Sequence, residues 1–317
     1  MNSPKHSCAR QSLVVVKFAT VQSSLLTVAA IILLTATAIA QEPVHFHEKP
    51  ASQPLISSLN FVDEANALGR AQRWREAVDI YLKALRLDPK NATARNNLGH
   101  AYVELGHLDD AARSLEHAVK LQPDNALFRY NLGNTYLAIR EVPRAIEQLK
   151  KAIELKESYP EAHNDLGNAY LDIGDYKNAL ASFARTIELN PNFTVAYNGL
   201  GVAYHQLRRF EEARTALLRG VALTAQSFEL QYNLGAVSLD LHDFSNAVKY
   251  FQAALGLAPN DARTVYSLGI AHLGLKHRSA TITQYSKLRT LDSELANQLY
   301  KAINAGRVLV VNEVRKQ

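Results

Sequence analysis

The sequence predicts an all-α solenoid in which pairs of short helices stack on one another. Three observations predict this fold class: a Leu-Gly pair that recurs every 34 residues, apolar residues at helical spacing around each pair, and few helix-breaking residues. Only 14 glycines and 10 prolines occur among the 317 residues. Alanine and leucine, which are abundant here, lose little conformational entropy in a helix, whereas glycine and proline are costly there.

The repeat keeps one register over six consecutive units. In most units a tyrosine, an alanine and a leucine or phenylalanine follow the glycine by three, twelve and sixteen residues, as in Tyr170, Ala179 and Phe183. This spacing, without insertion or deletion, indicates a repeated supersecondary unit, because composition alone does not generate it. The pairs begin at Leu98, Leu132, Leu166, Leu200, Leu234 and Leu268.

Each unit is expected to fold as two helices separated by a break such as Gly174. Gly167 in the first helix and Ala179 in the second are small, so the two backbones can approach closely while larger neighbours fill the flanking space. A proline such as Pro191 ends the second helix, because it lacks an amide hydrogen and clashes with the preceding turn.

Segments such as YNLGNTYLAIREVPRAIEQLKKAIEL and HNDLGNAYLDIGDYKNALASFARTIELNP resemble the tetratricopeptide repeat in length, helix pairing and signature positions. The resemblance implies a right-handed superhelix of helix-turn-helix repeats, whose first helices line a concave groove. The residues divide into seven repeats: 58–91, 92–125, 126–159, 160–193, 194–227, 228–261 and 262–295.

The two terminal repeats are degenerate, as expected for repeats that have a neighbour on one side only. Glu64 and Ala65 replace the Leu-Gly pair in the first, and His272 and Thr281 replace tyrosine and alanine in the seventh. Residues 296–317 are expected to form a capping helix and tail. Leu295, Leu299 and Ile303 fall on one face, Gly306 is the predicted stop, and the tail 307–317 has no assigned role.

Residues 1–40 carry the three parts of a secretory signal peptide: a cationic stretch, an apolar run and the small-residue exit at 38–40. The alternative is an uncleaved membrane anchor over residues 18–40. Either reading predicts an exported protein, periplasmic or secreted, or held at a membrane by that segment. Residues 41–57 contain three prolines and no helical period, which indicates a linker. His45 and His47 lack a third ligand, so no metal site is predicted there.

Charge and cysteine content exclude several classes of function. Three of the 35 basic residues lie in the first forty, which hold no acidic residue, so 32 basic and 30 acidic residues remain. This near-neutral body gives no electrostatic footprint for nucleic acid. The single cysteine, Cys8, leaves everything after residue 40 without thiol chemistry or disulfides.

No enzyme motif is present, and neither a catalytic residue nor a cofactor is predicted. The sequence lacks a His-Glu-x-x-His zinc motif, a phosphate-binding loop and a Gly-x-Ser-x-Gly elbow. Gly199 and Gly201 resemble part of a dinucleotide turn, but they fall within a predicted helix with no strand before it.

A recurrence of asparagines marks the first helices. Asparagine is a mediocre helix former, so packing alone does not account for it, and its amide can bind both the N–H and the C=O of a peptide unit. The row is similar to the asparagine ladder in the helical-repeat domain of O-linked N-acetylglucosamine transferase. Tyr130 and Tyr232 approach the groove edge. The asparagines of the row are Asn96, Asn97, Asn131, Asn134, Asn164, Asn168, Asn198 and Asn233.

These residues predict a non-catalytic scaffold that holds an extended segment of a protein partner in the groove. Alternatively, the asparagines solvate an exposed face or bond across neighbouring repeats, and the tyrosines pack between repeats. A further alternative is a membrane-anchored structural subunit that uses its convex or edge surfaces, and self-association is also left open. A carboxylate clamp for chaperone tails is not expected, because neither lysine nor arginine stands one or two residues before any Leu-Gly pair.

Overall fold

The computed structural model describes residues 53–314, and the side chains of residues 57–305. Every regular element in this range is an α-helix, which confirms the predicted all-α class. The helices are α1 (Gln53–Arg70), α2 (Trp74–Leu87), α3 (Ala92–Glu104), α4 (Leu108–Leu121), α5 (Ala126–Ala138), α6 (Val142–Leu155), α7 (Pro160–Asp172), α8 (Tyr176–Leu189), α9 (Thr194–Gln206), α10 (Phe210–Leu223), α11 (Phe228–Asp240), α12 (Phe244–Leu257), α13 (Ala262–Gly274), α14 (Arg278–Leu291) and α15 (Ser293–Val314).

The helices stack as seven consecutive pairs, α1/α2 to α13/α14, and α15 follows the last pair. Within a pair, the odd-numbered member is called the first helix and the even-numbered member the second helix. The backbones of first helices also approach those of the first helices in neighbouring pairs, with Cα atoms within 8 Å, whereas within residues 53–314 no two second helices approach so closely. The second helices α4 and α6 are joined instead through the long side chains of Glu116 and Arg144, which lie 2.9 Å apart. The first helices therefore form the inner, concave side of the solenoid, and the second helices form its outer side.

Glycines allow the close approach of the two helices within most pairs. A Cβ atom added at Gly167 would lie 2.7 Å from Cε1 of Phe183, and one added at Gly99 would lie 2.6 Å from Cγ of Leu115. Both distances are shorter than real Cβ contacts, so a larger residue would push the two helices apart. Ala179 is fully buried. These contacts confirm that the glycines of the Leu-Gly pairs face an adjacent helix.

The turn between first and second helices requires a left-handed residue. Gly174 has a φ of +76°, and the N–H of Asp175 donates to the carbonyl of Tyr170 at 2.9 Å, closing the end of α7. Other repeats place side-chain-bearing residues in this conformation, at a steric cost that glycine avoids. They are Gln72, Arg140, Arg208, His242 and Lys276.

Short polar side chains start several helices. Asn91 Oδ1 accepts a hydrogen bond from the Ala94 N–H at 2.9 Å, and Asp261 Oδ1 accepts one from the Thr264 N–H at 2.8 Å. Each bond satisfies an amide that has no partner within its own helix. These caps help to set where successive first helices begin, and so keep the inner face in register.

The ends of the solenoid differ in detail from the sequence-based expectation. α1 begins at Gln53, inside the segment 41–57 for which a linker is predicted. The predicted stop at Gly306 is wrong, because α15 continues to Val314. Glycine weakens a helix interior by about 1 kcal/mol but does not block it as proline does, and no proline occurs in residues 307–314.

α15 covers the last repeat. A Cβ atom added at Gly269 would lie 2.6 Å from Cδ2 of Leu299, which is fully buried. His272 and Thr281 are also buried, so they occupy the places that tyrosine and alanine hold in the other repeats. The seventh pair thus packs in the same way despite its divergent residues.

Among residues 53–314, none of the helices combines the length and apolar character that crossing a membrane requires. The expected signal peptide or anchor at residues 1–40 lies outside the described residues.

Candidate binding groove

Two rows of residues define the inner face of the first helices. The seam comprises the residues one and two before each Leu-Gly pair, which lie between neighbouring first helices. The groove row comprises the residue two positions after the leucine of each Leu-Gly pair. This residue is three positions after the seam residue that directly precedes the pair, so the two lie on the same helical face. The members of the groove row are half-buried: His100, Asn134, Asn168, Val202, Ala236 and Ile270.

The seam is held by side-chain hydrogen bonds that cross from one repeat to the next. Asn131 Nδ2 donates to Asn96 Oδ1 at 2.8 Å, and Asn96 Nδ2 donates to Asn97 Oδ1 at 3.1 Å. Asn97 Nδ2 then donates to Asn66 Oδ1 at 2.9 Å, which also accepts the Tyr81 hydroxyl at 2.6 Å. Four amides and one phenol therefore form a continuous chain over the first three repeats.

The same bond recurs further along the solenoid. Asn233 Nδ2 donates to Asn198 Oδ1 at 2.8 Å, again between residues 35 apart in sequence. The spacing of 35 residues is one more than the repeat length. The hydrogen bond therefore joins the residue directly before one Leu-Gly pair to the residue two positions before the preceding Leu-Gly pair. Each bond uses one donor and one acceptor of the amides involved, and so leaves part of their capacity free.

A carboxylate replaces the amide in the middle of the seam. The Tyr130 hydroxyl donates to Asp165 Oδ2 at 2.9 Å, and Asn164 Nδ2 donates to Asp165 Oδ1 at 3.1 Å. The Asn134 amide lies beside both Tyr130 and Asp165 and lowers the pKa of each. The Tyr130 ring packs against Tyr159, with 4.9 Å between ring centroids.

Burial governs the titration of this cluster. Desolvation raises the pKa of Asp165 above its usual value, although the hydrogen bonds from Tyr130 and Asn164 oppose the increase. The charge of Glu161 adds to the increase. Desolvation and the neighbouring carboxylate of Asp165 likewise raise the pKa of Tyr130, which therefore stays protonated and acts as a hydrogen-bond donor.

Comparison with protein families identifies the fold. Models described as tetratricopeptide repeat match residues 96–162, 164–228 and 228–261, and a model described as TPR repeat matches residues 65–106. Together the matches span most of residues 65–261, more than half of the chain. The chain belongs to the tetratricopeptide repeat family. No curated protein matches this tetratricopeptide repeat protein.

Solved structures of other tetratricopeptide repeat proteins share its fold. A crystal structure of MamA is 28% identical, covers 54% of this chain and 93% of its own, and superposes with a TM-score of 0.51. YrrB, described as a TPR protein with an unusual peptide-binding site, is 26% identical, covers 55% of this chain and 89% of its own, and has a TM-score of 0.50. A tetratricopeptide repeat protein from Parabacteroides merdae is 16% identical, covers 78% of this chain and 98% of its own, and has a TM-score of 0.61.

Within this tetratricopeptide repeat protein, most of the predicted site residues already have partners inside the chain. Asn96, Asn97, Asn131, Asn198 and Asn233 join neighbouring repeats. Hydrogen bonding across neighbouring repeats is one of the alternatives to partner contact that the sequence left open, although each amide retains further hydrogen-bonding capacity. Contact between these amides and a partner stays a prediction.

Three other predicted residues lie differently. Asn168 is half-exposed in the groove row and makes no side-chain hydrogen bond within the described part of the chain. Tyr130 is buried in the Asp165 cluster, and Tyr232 stacks on Phe228 with 6.0 Å between ring centroids. Asn168 is therefore the predicted residue whose whole amide is available to a ligand.

Sequence reasoning missed Asp165 as a member of the seam, and Asn66 and Tyr81 as hydrogen-bond partners that extend it. Asn66 belongs to the degenerate first repeat, where it aligns with Asn134 and could have been found from the register. Tyr81 lies on the second helix of that repeat. Asp165 aligns with Asn131 of the preceding repeat, so an alignment that allowed aspartate in place of asparagine would have included Asp165.

The histidines form no metal centre in the described part of the chain. His205 Nε2 lies 2.6 Å from Asp240 Oδ2 and pairs two neighbouring first helices, again at a spacing of 35. No three side chains among His, Cys, Asp and Glu come together as metal ligands within the residues that the structure describes.

Proposed function

We propose that this protein is an exported, non-catalytic scaffold that binds an extended segment of a partner protein along its inner groove. The observation that carries the proposal is the free amide of Asn168 at the centre of a continuous inner face formed by first helices alone. Family membership supports a role in protein interaction, and the YrrB neighbour is itself described as having a peptide-binding site.

The groove row changes in chemical character along the solenoid. It presents His100, Asn134 and Asn168 over the middle repeats, followed by Val202, Ala236 and Ile270. Val195, one turn before Gly199 on α9, adds an exposed apolar side chain to the second stretch. A partner segment that fits this surface is polar over one stretch and carries small apolar side chains over the next, because burying apolar side chains against apolar residues removes both from water.

The test uses peptides selected from a random display library on the immobilised protein, with affinities measured by isothermal titration calorimetry. Asn168→Ala is expected to weaken binding about fivefold, since losing a net hydrogen bond costs about 1 kcal/mol. Asn192→Ala, in an exposed turn before α9, is the matched control and should leave the affinity unchanged. Peptides whose affinity is the same for wild type and Asn168→Ala, and also for a Val202→Glu variant, would place binding outside the groove.

A second candidate surface is the outer edge. The last residues of five second helices are leucines that remain exposed in a row: Leu87, Leu121, Leu155, Leu223 and Leu257. This ridge favours the alternative of a structural subunit that docks through its edge. In native electrophoresis of an envelope extract, loss of a complex with Leu155→Ser plus Leu223→Ser, but not with Asn168→Ala, would support that alternative.

The proposed export rests on the cationic and apolar pattern of residues 1–40. Amino-terminal sequencing of the purified protein tests it. A chain that begins at Gln41 indicates a cleaved signal peptide and a periplasmic or secreted protein. A chain that begins at Met1 and sediments with membranes indicates an anchor.

A further inference from the structure

The Asp165 cluster contains more hydrogen-bond acceptors than donors. Its carboxylate accepts from Tyr130 and Asn164, and both donors are neutral. Asp165 takes part in none of the ion pairs within the described residues. Glu161 adds a smaller influence on Asp165, and its charge is also negative. The cluster therefore carries uncompensated negative charge when Asp165 is ionised.

Two buried oxygens beside the carboxylate lack partners. Asn164 is only 5% exposed, and its Oδ1 atom accepts no hydrogen bond. Asn134 Oδ1 is buried and unpaired in the same way. An ionised carboxylate only accepts hydrogen bonds, so it attracts the NH₂ side of an amide and turns the oxygen away. A buried acceptor without a partner costs about 1–3 kcal/mol, which a suitable donor would recover.

The unpaired oxygen of Asn164 results from a gap in the seam. In the neighbouring repeats, Asn131 pairs with Asn96, Asp165 with Tyr130, and Asn233 with Asn198. The residue that would pair with Asn164 is Gly199, which has no side chain.

Packing explains the glycine. A Cβ atom at position 199 would lie 2.4 Å from Cζ of Phe183. Leu115, Leu149 and Leu217 replace the ring in three other repeats and precede Asn131, Asp165 and Asn233, whereas in the first repeat the ring of Tyr81 precedes Asn97. Where the buried ring of Phe251 occurs, the corresponding seam residue is the small Ser267. At position 199 the ring of Phe183 therefore takes the space that a side chain would need.

We propose that Asp165, with the side-chain oxygens of Asn164 and Asn134, forms a site for the lysine or arginine side chain of a segment held in the groove. A guanidinium or ammonium group supplies several donors and one positive charge, which complements a carboxylate and two amide oxygens. A divalent metal ion fits less well, since Ca²⁺ and Mg²⁺ sites usually include more than one charged ligand. The proposal rests on the proposed groove function and specifies the chemistry of the partner.

The probe is the peptide acetyl-Gly-Gly-Arg-Gly-Gly-amide, compared with the same peptide containing citrulline. Citrulline keeps the shape of arginine but removes its charge. Each peptide is titrated into the ¹⁵N-labelled protein to about 10 mM, because a single side-chain site is expected to bind in the millimolar range. The readout is the shift of the Asn134 and Asn164 side-chain NH₂ resonances. The arginine peptide should produce saturable shifts and bind at least tenfold more tightly than the citrulline peptide.

Three variants of the full chain make the test specific. Asp165→Asn keeps the shape of the side chain and should weaken the arginine peptide at least tenfold. Phe183→Leu combined with Gly199→Asn gives Asn164 a partner and should also weaken it. Asp172→Asn, which removes a more exposed carboxylate on the same helix that lies 3.9 Å from Arg140, should have no effect. Far-UV circular dichroism verifies that each variant is folded.

The outcomes separate this proposal from the groove function. Equal binding of the arginine and citrulline peptides, or an unchanged affinity in Asp165→Asn, overturns the cation site. If display-selected peptides still depend on Asn168 in that case, the groove function stands without the cation site. If no selected peptide depends on Asn168 and the arginine peptide gives no saturable shift, both proposals fail.

Discussion

Replacing Gly199 by alanine is expected to destabilise the solenoid, although alanine is the better helix former. The new Cβ atom would lie 2.4 Å from Cζ and 2.5 Å from Cε1 of Phe183, whereas ordinary contacts begin near 3.4 Å. The ring would therefore have to move by about 1 Å. It has little free space, since Phe183 is fully buried and the same ring also lies against Gly167, where an added Cβ would be only 2.7 Å away.

The size of the effect follows from two opposing contributions. Overpacking a tight core costs about 1–3 kcal/mol, and the close contact of the Phe183 ring with both Gly167 and Gly199 favours the upper value. Glycine to alanine within a helix contributes about 1 kcal/mol in the opposite direction. The expected net loss is therefore about 2 kcal/mol in the free energy of unfolding.

A double-mutant cycle isolates the contact. In a Phe183→Leu background the ring is absent, and Gly199→Ala should instead stabilise the chain by about 1 kcal/mol. The coupling between the two positions is then about 3 kcal/mol, well above the additivity error of about 0.5 kcal/mol. Urea unfolding followed by circular dichroism at 222 nm measures each variant, with a nearest-neighbour repeat model where unfolding is not two-state. Stabilisation by Gly199→Ala in both backgrounds would show that the Phe183 ring is not the reason for a glycine at position 199.

Further predictions concern backbone conformation, titration and the groove. Gly106 has a φ of +76°, so Gly106→Ala should lower the free energy of unfolding by about 1 kcal/mol. Gly256 has open space around it in α12, so Gly256→Ala should raise the free energy of unfolding by about 1 kcal/mol. Lys276 has a φ of +59°, so Lys276→Gly should raise it by about 0.5–1 kcal/mol, and the urea midpoints of unfolding check all three variants. Because burial raises the pKa of Asp165, the folded state binds this proton more strongly than the unfolded state, so the contribution of the group is complete below its unfolded pKa and is lost as pH rises through the folded value. The free energy of unfolding of Asp165→Asn relative to wild type should therefore rise with pH above about 4, and a constant difference would contradict the assigned burial. Asn168→Ala should leave the melting temperature unchanged or slightly higher, since alanine is the better helix former and no internal hydrogen bond is lost.

The stacking of the repeats could be predicted from sequence because one period fixes many contacts at once. Gly167 and Phe183 recur as a small and a large residue sixteen positions apart, and the structure places them in contact. The end of α15 could not be predicted in the same way. Gly306 carries a weak local signal to stop, whereas continuation of the helix to Val314 depends on a stretch that no repeat pattern describes.

The pairing of the asparagines could not be predicted from the repeat alone. The period of 34 aligns Asn97 with Asn131, but the hydrogen bond joins Asn131 to Asn96, a spacing of 35. That offset reflects how neighbouring first helices lie against each other, which is a property of packing. The absence of a side chain at Gly199 is visible in the sequence, yet its consequence for Asn164 emerges only once the offset is known.

The seam also determines what the groove can do. Hydrogen bonds such as Asn233 to Asn198 hold neighbouring first helices at a fixed separation, so the groove is formed before a ligand arrives and less entropy is lost on binding. In such an ordered groove the amides hydrogen-bond one another, so they offer less of their hydrogen-bonding capacity to a ligand. Between α7 and α9 the Phe183 ring removes one seam partner and leaves Asn164 unsatisfied beside Asp165. Because the flanking repeats stay locked, this single gap places unused acceptors at a defined point, as the proposed selection of one charged side chain from a variable segment requires.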